Sequence, residues 1–283
     1  MKLVHFFYLM AWVIFIPGAC KRDHNPSPAP EKETVLSKIY KNGVLYMEYS
    51  YDANMKAINR INTYKSDGQL QNAVEFAYDS NGLLGSYTNY DDSGEPTTKM
   101  LFTKDENGHF QEGELVSLSG ANTGQVVNRH KYSYNADGLI NREAWLSLST
   151  GAEKSAREYT YYPNGNLKAY HYYEKLQPMA MLSHKAEFSP AGSPLPETIA
   201  KHKGYPINFL IYEFVAEKIH YTIYDNSGSG DDTEYAYHFT DREYNEQGFV
   251  ISQNNTLFDP PPPPSEILTI GVKTTYRYEY IEL

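Results

Sequence analysis

Few residues in this chain are spaced for chemistry, and each such group has a plain structural alternative. The run Asp225-Asn226-Ser227-Gly228-Ser229-Gly230-Asp231-Asp232 sets Asp, Ser and Ser at the first, third and fifth positions of a calcium loop, with Gly at the sixth. Ala236 then stands at the twelfth position, where such a loop needs a bidentate Glu. The flanks alternate like strands, so an acidic hairpin loop is expected between Asp225 and Asp232, and a bound metal is not. The 9 histidines include no His-Glu-x-x-His and no His-x-His pair. His130, His171, His220 and His238 therefore read as isolated polar residues on strands. No nucleophile elbow, phosphate loop or dinucleotide fingerprint occurs, and no cofactor is expected. Carboxylates are numerous enough for paired-acid hydrolysis, but the most regular of them, Asp52, Asp79 and Asp105, have a different task described below.

The aromatic residues are the larger resource. The chain of 283 residues holds 27 Tyr, 12 Phe and 2 Trp. Tyrosines exposed on a sheet could stack against sugar rings through their faces and bond sugar hydroxyls through their own. Alternatively they stabilise the sheet as cross-strand pairs, the role expected for residues in phase with a repeat. Tyr49, Tyr51, Tyr78, Tyr132, Tyr134, Tyr159 and Tyr161 are the residues that decide between the two.

These side chains need a scaffold, and the composition permits one. Hydrophobic residues make up 41% and charged residues 21%, enough to bury a core. The net charge of −10 argues against nucleic acid as a partner. Aromatic content this high favours strands.

One pattern recurs: aromatic, any residue, aromatic, Asp or Asn, two residues, Gly, any residue, apolar. Phe76-Ala77-Tyr78-Asp79-Ser80-Asn81-Gly82-Leu83-Leu84 and Tyr132-Ser133-Tyr134-Asn135-Ala136-Asp137-Gly138-Leu139-Ile140 are its plainest copies. Lys104 replaces the second aromatic in the copy from Phe102 to Phe110, Tyr162 replaces Asp in the copy from Tyr159 to Leu167, and Met55 replaces Gly in the copy from Tyr49 to Ala57. A degraded copy ends at Gly192 and a late one runs from Tyr244 to Val250. The Gly-equivalent positions Met55, Gly82, Gly108, Gly138, Gly165 and Gly192 fall 26 to 30 residues apart.

Each copy has a mechanical meaning. Aromatics two apart share a face of a strand. Asp or Asn three residues before Gly caps a tight turn, and Gly supplies the left-handed backbone of a bulged hairpin. Second turns are expected half a period later, at Ser66-Asp67-Gly68, Asp91 to Gly94, Ser119 to Gly124 and Ser149-Thr150-Gly151. Each period is then two strands and two turns, with strands of about 8–10 residues. Beyond Gly192 the register blurs. Strands are expected at Tyr221 to Tyr224, Tyr235 to Phe239 and Tyr276 to Tyr280, a loop at Pro260 to Pro264, and at most a short helix near Glu197 to His202.

The repeat resembles the YD repeat of RHS-type and teneurin-like proteins, over roughly Tyr49 to Leu195 with a return at Tyr244. In that family hairpins stack into a sheet that rolls into a shell; this array is too short to enclose a cargo. The Arg often found after Gly is replaced here by Leu83, His109, Leu139, Asn166 and Phe249. The N-terminus resembles a bacterial lipoprotein signal. Lys2 precedes an apolar stretch from Leu3 to Ile16, too short to span a bilayer but suited to a signal peptide, and it ends in Pro17-Gly18-Ala19-Cys20. The resemblance implies a signal over residues 1–19 and lipid attachment at Cys20. Residues 20–34 read as the acylated Cys and an extended tether, since Lys21 to Thr34 lacks hydrophobic periodicity. The whole chain resembles small lipoproteins of the Bacteroidota that carry YD-like repeats and have no assigned function.

The expectation is an all-β fold, an antiparallel meander of stacked hairpin repeats in a long twisted sheet, curled or barrel-like. It is a single β domain over residues 35–283, regular over 49–195 and less so over 196–283. Functionally, the expectation is a non-catalytic lipoprotein anchored to the outer membrane, binding a glycan or an envelope protein. The alternatives are a purely structural scaffold and a carboxylate hydrolase built between Gly192 and Gly248.

Overall fold

The computed structural model describes residues 34–52, 54, 57–176, 179–189, 216–224, 232–258 and 272–283. Cys20, the apolar N-terminal stretch, the tether up to Glu33, Met55, Pro190 to Gly192 of the degraded copy, the helix expected near Glu197, the loop residues 225–231 and Pro260 to Pro264 lie outside them.

The described residues form 16 antiparallel strands. The first eight are β1 (Thr34–Lys41), β2 (Val44–Asp52), β3 (Ala57–Tyr64), β4 (Leu70–Tyr78), β5 (Leu84–Tyr90), β6 (Pro96–Lys104), β7 (Phe110–Ser117) and β8 (Val126–Tyr134). Then come β9 (Ile140–Leu146), β10 (Glu153–Tyr161), β11 (Leu167–Leu176), β12 (Met179–Phe188), β13 (Lys218–Ile223), β14 (Thr233–Tyr244), β15 (Val250–Phe258) and β16 (Val272–Glu282). Each pairs with its neighbours in sequence, and β1 pairs with β16, so the meander closes into a barrel with no open edge.

The repeat turns gather at one end of the barrel and follow one design. Asp79 Oδ1 accepts the amides of Asn81 at 2.9 Å and Leu83 at 3.0 Å. The Gly82 amide donates to the Asp79 carbonyl at 3.0 Å, with Gly82 at φ +72°. A residue with a Cβ is strained at that φ. Asp105, Asn135 and Asn245 repeat the arrangement. At the opposite end Asp91 does the same for Ser93 and Glu95. The expected half-period turns at Gly68, Gly94, Gly124 and Gly151 are all present, each at positive φ.

Every such hairpin is followed by a bulge one residue into the return strand. Gly85, Gln111, Asn141 and Lys168 are the extra residues at the repeat-turn end; Gln71, Thr97, Val127 and Lys154 are extra at the other. A bulge sharpens the local twist and bends the strand. Repeated at both ends of successive hairpins, it curls a flat meander until its first and last strands meet.

The second tyrosine of several repeats ties each to the one before, and Tyr280 of β16 bonds in the same way. Tyr78 donates to the Ile58 carbonyl at 2.6 Å, Tyr161 to Ile140 at 2.6 Å, and Tyr280 to Val250 at 2.8 Å. Tyr51 bonds the Leu36 carbonyl in the same way, and Tyr134 instead accepts the Phe110 amide at 2.8 Å. Where Lys104 replaces this tyrosine, its Nζ bonds Asp79 Oδ2 of the preceding turn at 2.8 Å. The ring is half-buried while its hydroxyl satisfies a backbone group. Tyr161→Phe removes only the hydroxyl and is expected to cost about 1 kcal/mol, read from urea unfolding midpoints. An unchanged midpoint would show the bond contributes nothing.

The two faces are chemically opposite. The interior is lined by buried residues such as Ile39, Ile58, Phe76, Met100, Phe110, Ile219 and Tyr278. Cross-strand ion pairs cover the exterior: Lys38–Glu48 at 3.7 Å, Arg60–Glu75 at 3.1 Å, Arg129–Glu114 at 2.7 Å and Arg142–Glu158 at 3.3 Å. A barrel that spans a bilayer has an apolar outer band and a polar lumen. Among the described residues this barrel has the reverse arrangement, an apolar interior with charged pairs outside.

Candidate functional site

The tyrosines singled out by the repeat point inward. Tyr49, Tyr132 and Tyr159 are buried, and Tyr51, Tyr78, Tyr134 and Tyr161 are half-buried against the same core. They form the cross-strand ladder expected of structural rings, so they present no platform to an external ligand. Asp52, Asp79 and Asp105 cap turns, as expected. Asp79's carboxyl is held below the usual range by the Lys104 ammonium and then by the Leu83 amide. His171 and His220 lie on the outer face, at register positions beside Glu158 and Glu187. His238 is partly buried, and burial followed by Lys218 lowers its pKa.

His130 is the exception among the histidines. It faces inward from β8, where its Nδ1 lies 2.9 Å from Oε1 of Glu143 on β9. Both side chains are buried. Tyr159 of β10 donates to the other carboxylate oxygen at 3.2 Å. Arg157, opposite Glu143 in register, packs its guanidinium over Tyr170 at 5.0 Å and Trp145 at 5.6 Å. Burial, followed by the Glu143 charge, pushes the phenols of Tyr132 and Tyr159 well up, so both stay neutral. Gly113 makes room for this packing: a Cβ there would lie 2.9 Å from Met100 Sδ and 3.3 Å from the Tyr132 hydroxyl. The result is a charged cluster walled in by aromatic rings, with His130 Nε2 lacking a hydrogen-bond partner.

His184 of β12 adjoins this cluster, with its ring 4.8 Å from Tyr172. Burial, and then the Arg157 charge, lowers its pKa. The unfolded chain therefore takes up this proton first, and stability is lost as the pH falls below about 6.5. His184→Gln is expected to flatten that part of the stability profile, measured as midpoints between pH 5 and 8.

Next to the cluster, at the end away from the repeat turns, the barrel holds a cavity of about 540 Å³. Its walls carry Tyr46, Tyr170, Tyr221, Tyr235, Tyr237 and Tyr276. Ile219, Phe239 and Leu257 add apolar surface, while Lys41, Asn255 and Thr274 add polar groups. Tyr221 and Tyr235 stack with centroids 4.9 Å apart, and Tyr237 stands edge-on to both at 5.8 and 5.9 Å. Tyr170 is shared with the aromatic wall around Arg157. A second cavity of about 300 Å³ lies at the rim, lined in part by Tyr64, Lys65 and Gln71, and it shares Lys41 and Tyr46 with the first.

Sequence reasoning found the strands that carry Tyr221, Tyr235, Tyr237 and Tyr276 but not their convergence. Lys41, Glu143 and Arg157 drew no notice, because nothing in their local pattern marks them. Among the described residues no group of three or more His, Cys, Asp or Glu is placed to hold a metal. Of the acidic loop expected between Asp225 and Asp232 only Asp232 is described.

No family model matches the chain. No curated protein matches it in sequence. Among solved structures, a porin-like protein from Bacteroides uniformis ATCC 8492 is 14% identical, with 87% of this chain and 98% of that one covered and a TM-score of 0.48. A porin-like protein from Bacteroides vulgatus ATCC 8482 is 12% identical, with 88% and 99% covered and a TM-score of 0.45. The structure of TcdB2-TccC3-TEV is 11% identical over 82% of this chain and 14% of its own length, with a TM-score of 0.29. Likeness at this level carries no inference about ligand or activity.

Proposed function

We propose that this chain is a lipid-anchored cell-envelope protein of the YD-repeat type whose barrel is a non-catalytic carbohydrate-binding module. The ligand enters the tyrosine-lined cavity at the end opposite the repeat turns. The observation that carries this reading is the cavity itself. Its volume of about 540 Å³ falls within the range of about 300–1,000 Å³ usual for small-ligand sites. Its walls combine aromatic faces, which stack on the C–H faces of pyranose rings, with hydroxyl, amide and ammonium groups that bond sugar hydroxyls. The described lining holds no Asp or Glu, the groups that glycoside hydrolysis uses in pairs. The envelope location rests on the Leu3 to Ile16 stretch and Cys20. The charged outer wall accords with a barrel held in water by a lipid tether.

The test is a glycan array probed with the full chain in detergent. A reproducible hit is expected, weakened at least tenfold in Tyr237→Ala, which removes the ring standing edge-on to two others. Tyr173→Ala, on the outer face, is expected to leave binding unchanged. A blank array from protein shown to be folded would sink the carbohydrate reading and leave the scaffold alternative.

A further inference from the structure

From two neighbouring cavities that share Lys41 and Tyr46, and from their charge, we infer that the ligand is an acidic oligosaccharide, lying from the barrel interior across the rim at Lys41. This rests on the reading of the barrel as a carbohydrate-binding module and specifies its ligand.

The geometry supplies the length. The inner cavity of about 540 Å³ and the rim cavity of about 300 Å³ are bordered by the same two residues, Lys41 and Tyr46. A ligand confined to one pyranose would leave one of the two empty. A linear chain of sugars passing the Lys41–Tyr46 junction fills both.

The charge supplies the acid. The chain carries 35 Asp and Glu against 25 Lys and Arg, yet the described lining of both cavities contains Lys41 and Lys65 and no carboxylate. Lys65 is engaged by Asp92 at 2.8 Å. Lys41 has no ion-pair partner among the described residues, and its Nζ sits 5.5 Å from the centre of the Tyr46 ring. A cation beside an aromatic face, at the border common to both cavities, suits a sugar bearing a carboxylate or sulfate: the ring stacks and the acid pairs.

The rim is also held in place, so little order is lost on binding. Asn42 and Gly43 form a tight hairpin with φ of 51° and 81°, as a two-residue primed turn requires. Asn42 is pinned to β16 on both sides: its amide donates to the Thr275 carbonyl at 2.8 Å, and its side chain accepts the Thr275 amide at 2.9 Å. Lys41 therefore projects from a fixed lip.

The experiment is calorimetric titration of the full chain in detergent with four probes: an oligogalacturonate hexamer, its trimer, a sulfated chondroitin hexasaccharide and a neutral glucan hexamer. One or both acidic hexamers are expected to bind about tenfold more tightly than the neutral one and more tightly than the trimer, with the difference shrinking as salt rises. Whichever acid is preferred distinguishes carboxylate from sulfate. Lys41→Gln, confirmed folded by its circular dichroism, is expected to abolish the preference for the acidic hexamers over the neutral one. Equal binding of neutral and acidic hexamers, or no effect of Lys41→Gln, overturns the acidic ligand, while sensitivity to Tyr237→Ala preserves the carbohydrate reading. Binding of none of the four, together with a blank array, overturns that reading itself.

Discussion

Glu143→Ala is expected to destabilise the barrel by about 3–5 kcal/mol, because it strips a buried charge cluster of its only carboxylate among the described members. Glu143 is 4% exposed and accepts from His130 at 2.9 Å and Tyr159 at 3.2 Å. Without it, Arg157 keeps its charge among Trp145, Tyr170 and Tyr172 with the facing carboxylate gone. For a domain of this size the loss corresponds to a fall of roughly 10 °C in Tm. The control is the triple variant with His130→Leu, Glu143→Leu and Arg157→Met. Replacing the whole cluster by apolar residues removes the desolvation cost along with the pairing, so most of the loss should be recovered. If Glu143→Ala unfolds at the wild-type urea concentration, the cluster is not a structural unit.

Phe110→Ala is expected to cost about 3–5 kcal/mol, through lost burial and the cavity left behind. The ring is 3% exposed. It stacks on Phe102 with centroids 4.3 Å apart and packs against Tyr132 at 6.1 Å. Its backbone amide is held by the Tyr134 hydroxyl, so the substitution hollows the core beneath a fixed main chain that cannot collapse to fill it. Phe110→Leu should cost distinctly less, since it keeps most of the volume. Equal losses for the two variants would mean that the stacked ring geometry, rather than the filled volume, is what counts. Urea midpoints with unchanged m-values are the readout.

The local units of this fold and their stacking into an antiparallel, barrel-like meander were legible, but the seam that closes it was not. The turn chemistry could be read residue by residue, because Asp79 and Gly82 each have one physical reason to stand where they do. The pairing of aromatics two apart was legible for the same reason. The seam depends on the small extra twist that each bulge adds, and the turn Gly marks a bulged hairpin without fixing how far the bends add up. Those bulges also explain the missed cluster. Strict alternation from Ile140 would aim Arg142 inward and Glu143 outward. Asn141 is the extra residue, so the phase flips and Glu143 enters the core opposite Tyr132 while Arg142 joins the exterior. The cavity was hidden for another reason. Its residues come from β1 and β2 at one end of the chain, β13 to β16 at the other, and β11 between them, and only the joining of the ends makes them neighbours.

That joining also governs how the barrel can be made. Ser37 bonds the carbonyl of Glu279 across a separation of 242 residues, and every β1–β16 bond spans a comparable stretch. A chain emerging in order can zip each hairpin onto the last, but β1 keeps one row of amides and carbonyls unsatisfied until β16 arrives. Sealing this seam is the most non-local event in folding and the natural rate-limiting step. Until then the half-built sheet is a strand-hungry template. A variant lacking β16 should self-associate through that exposed edge.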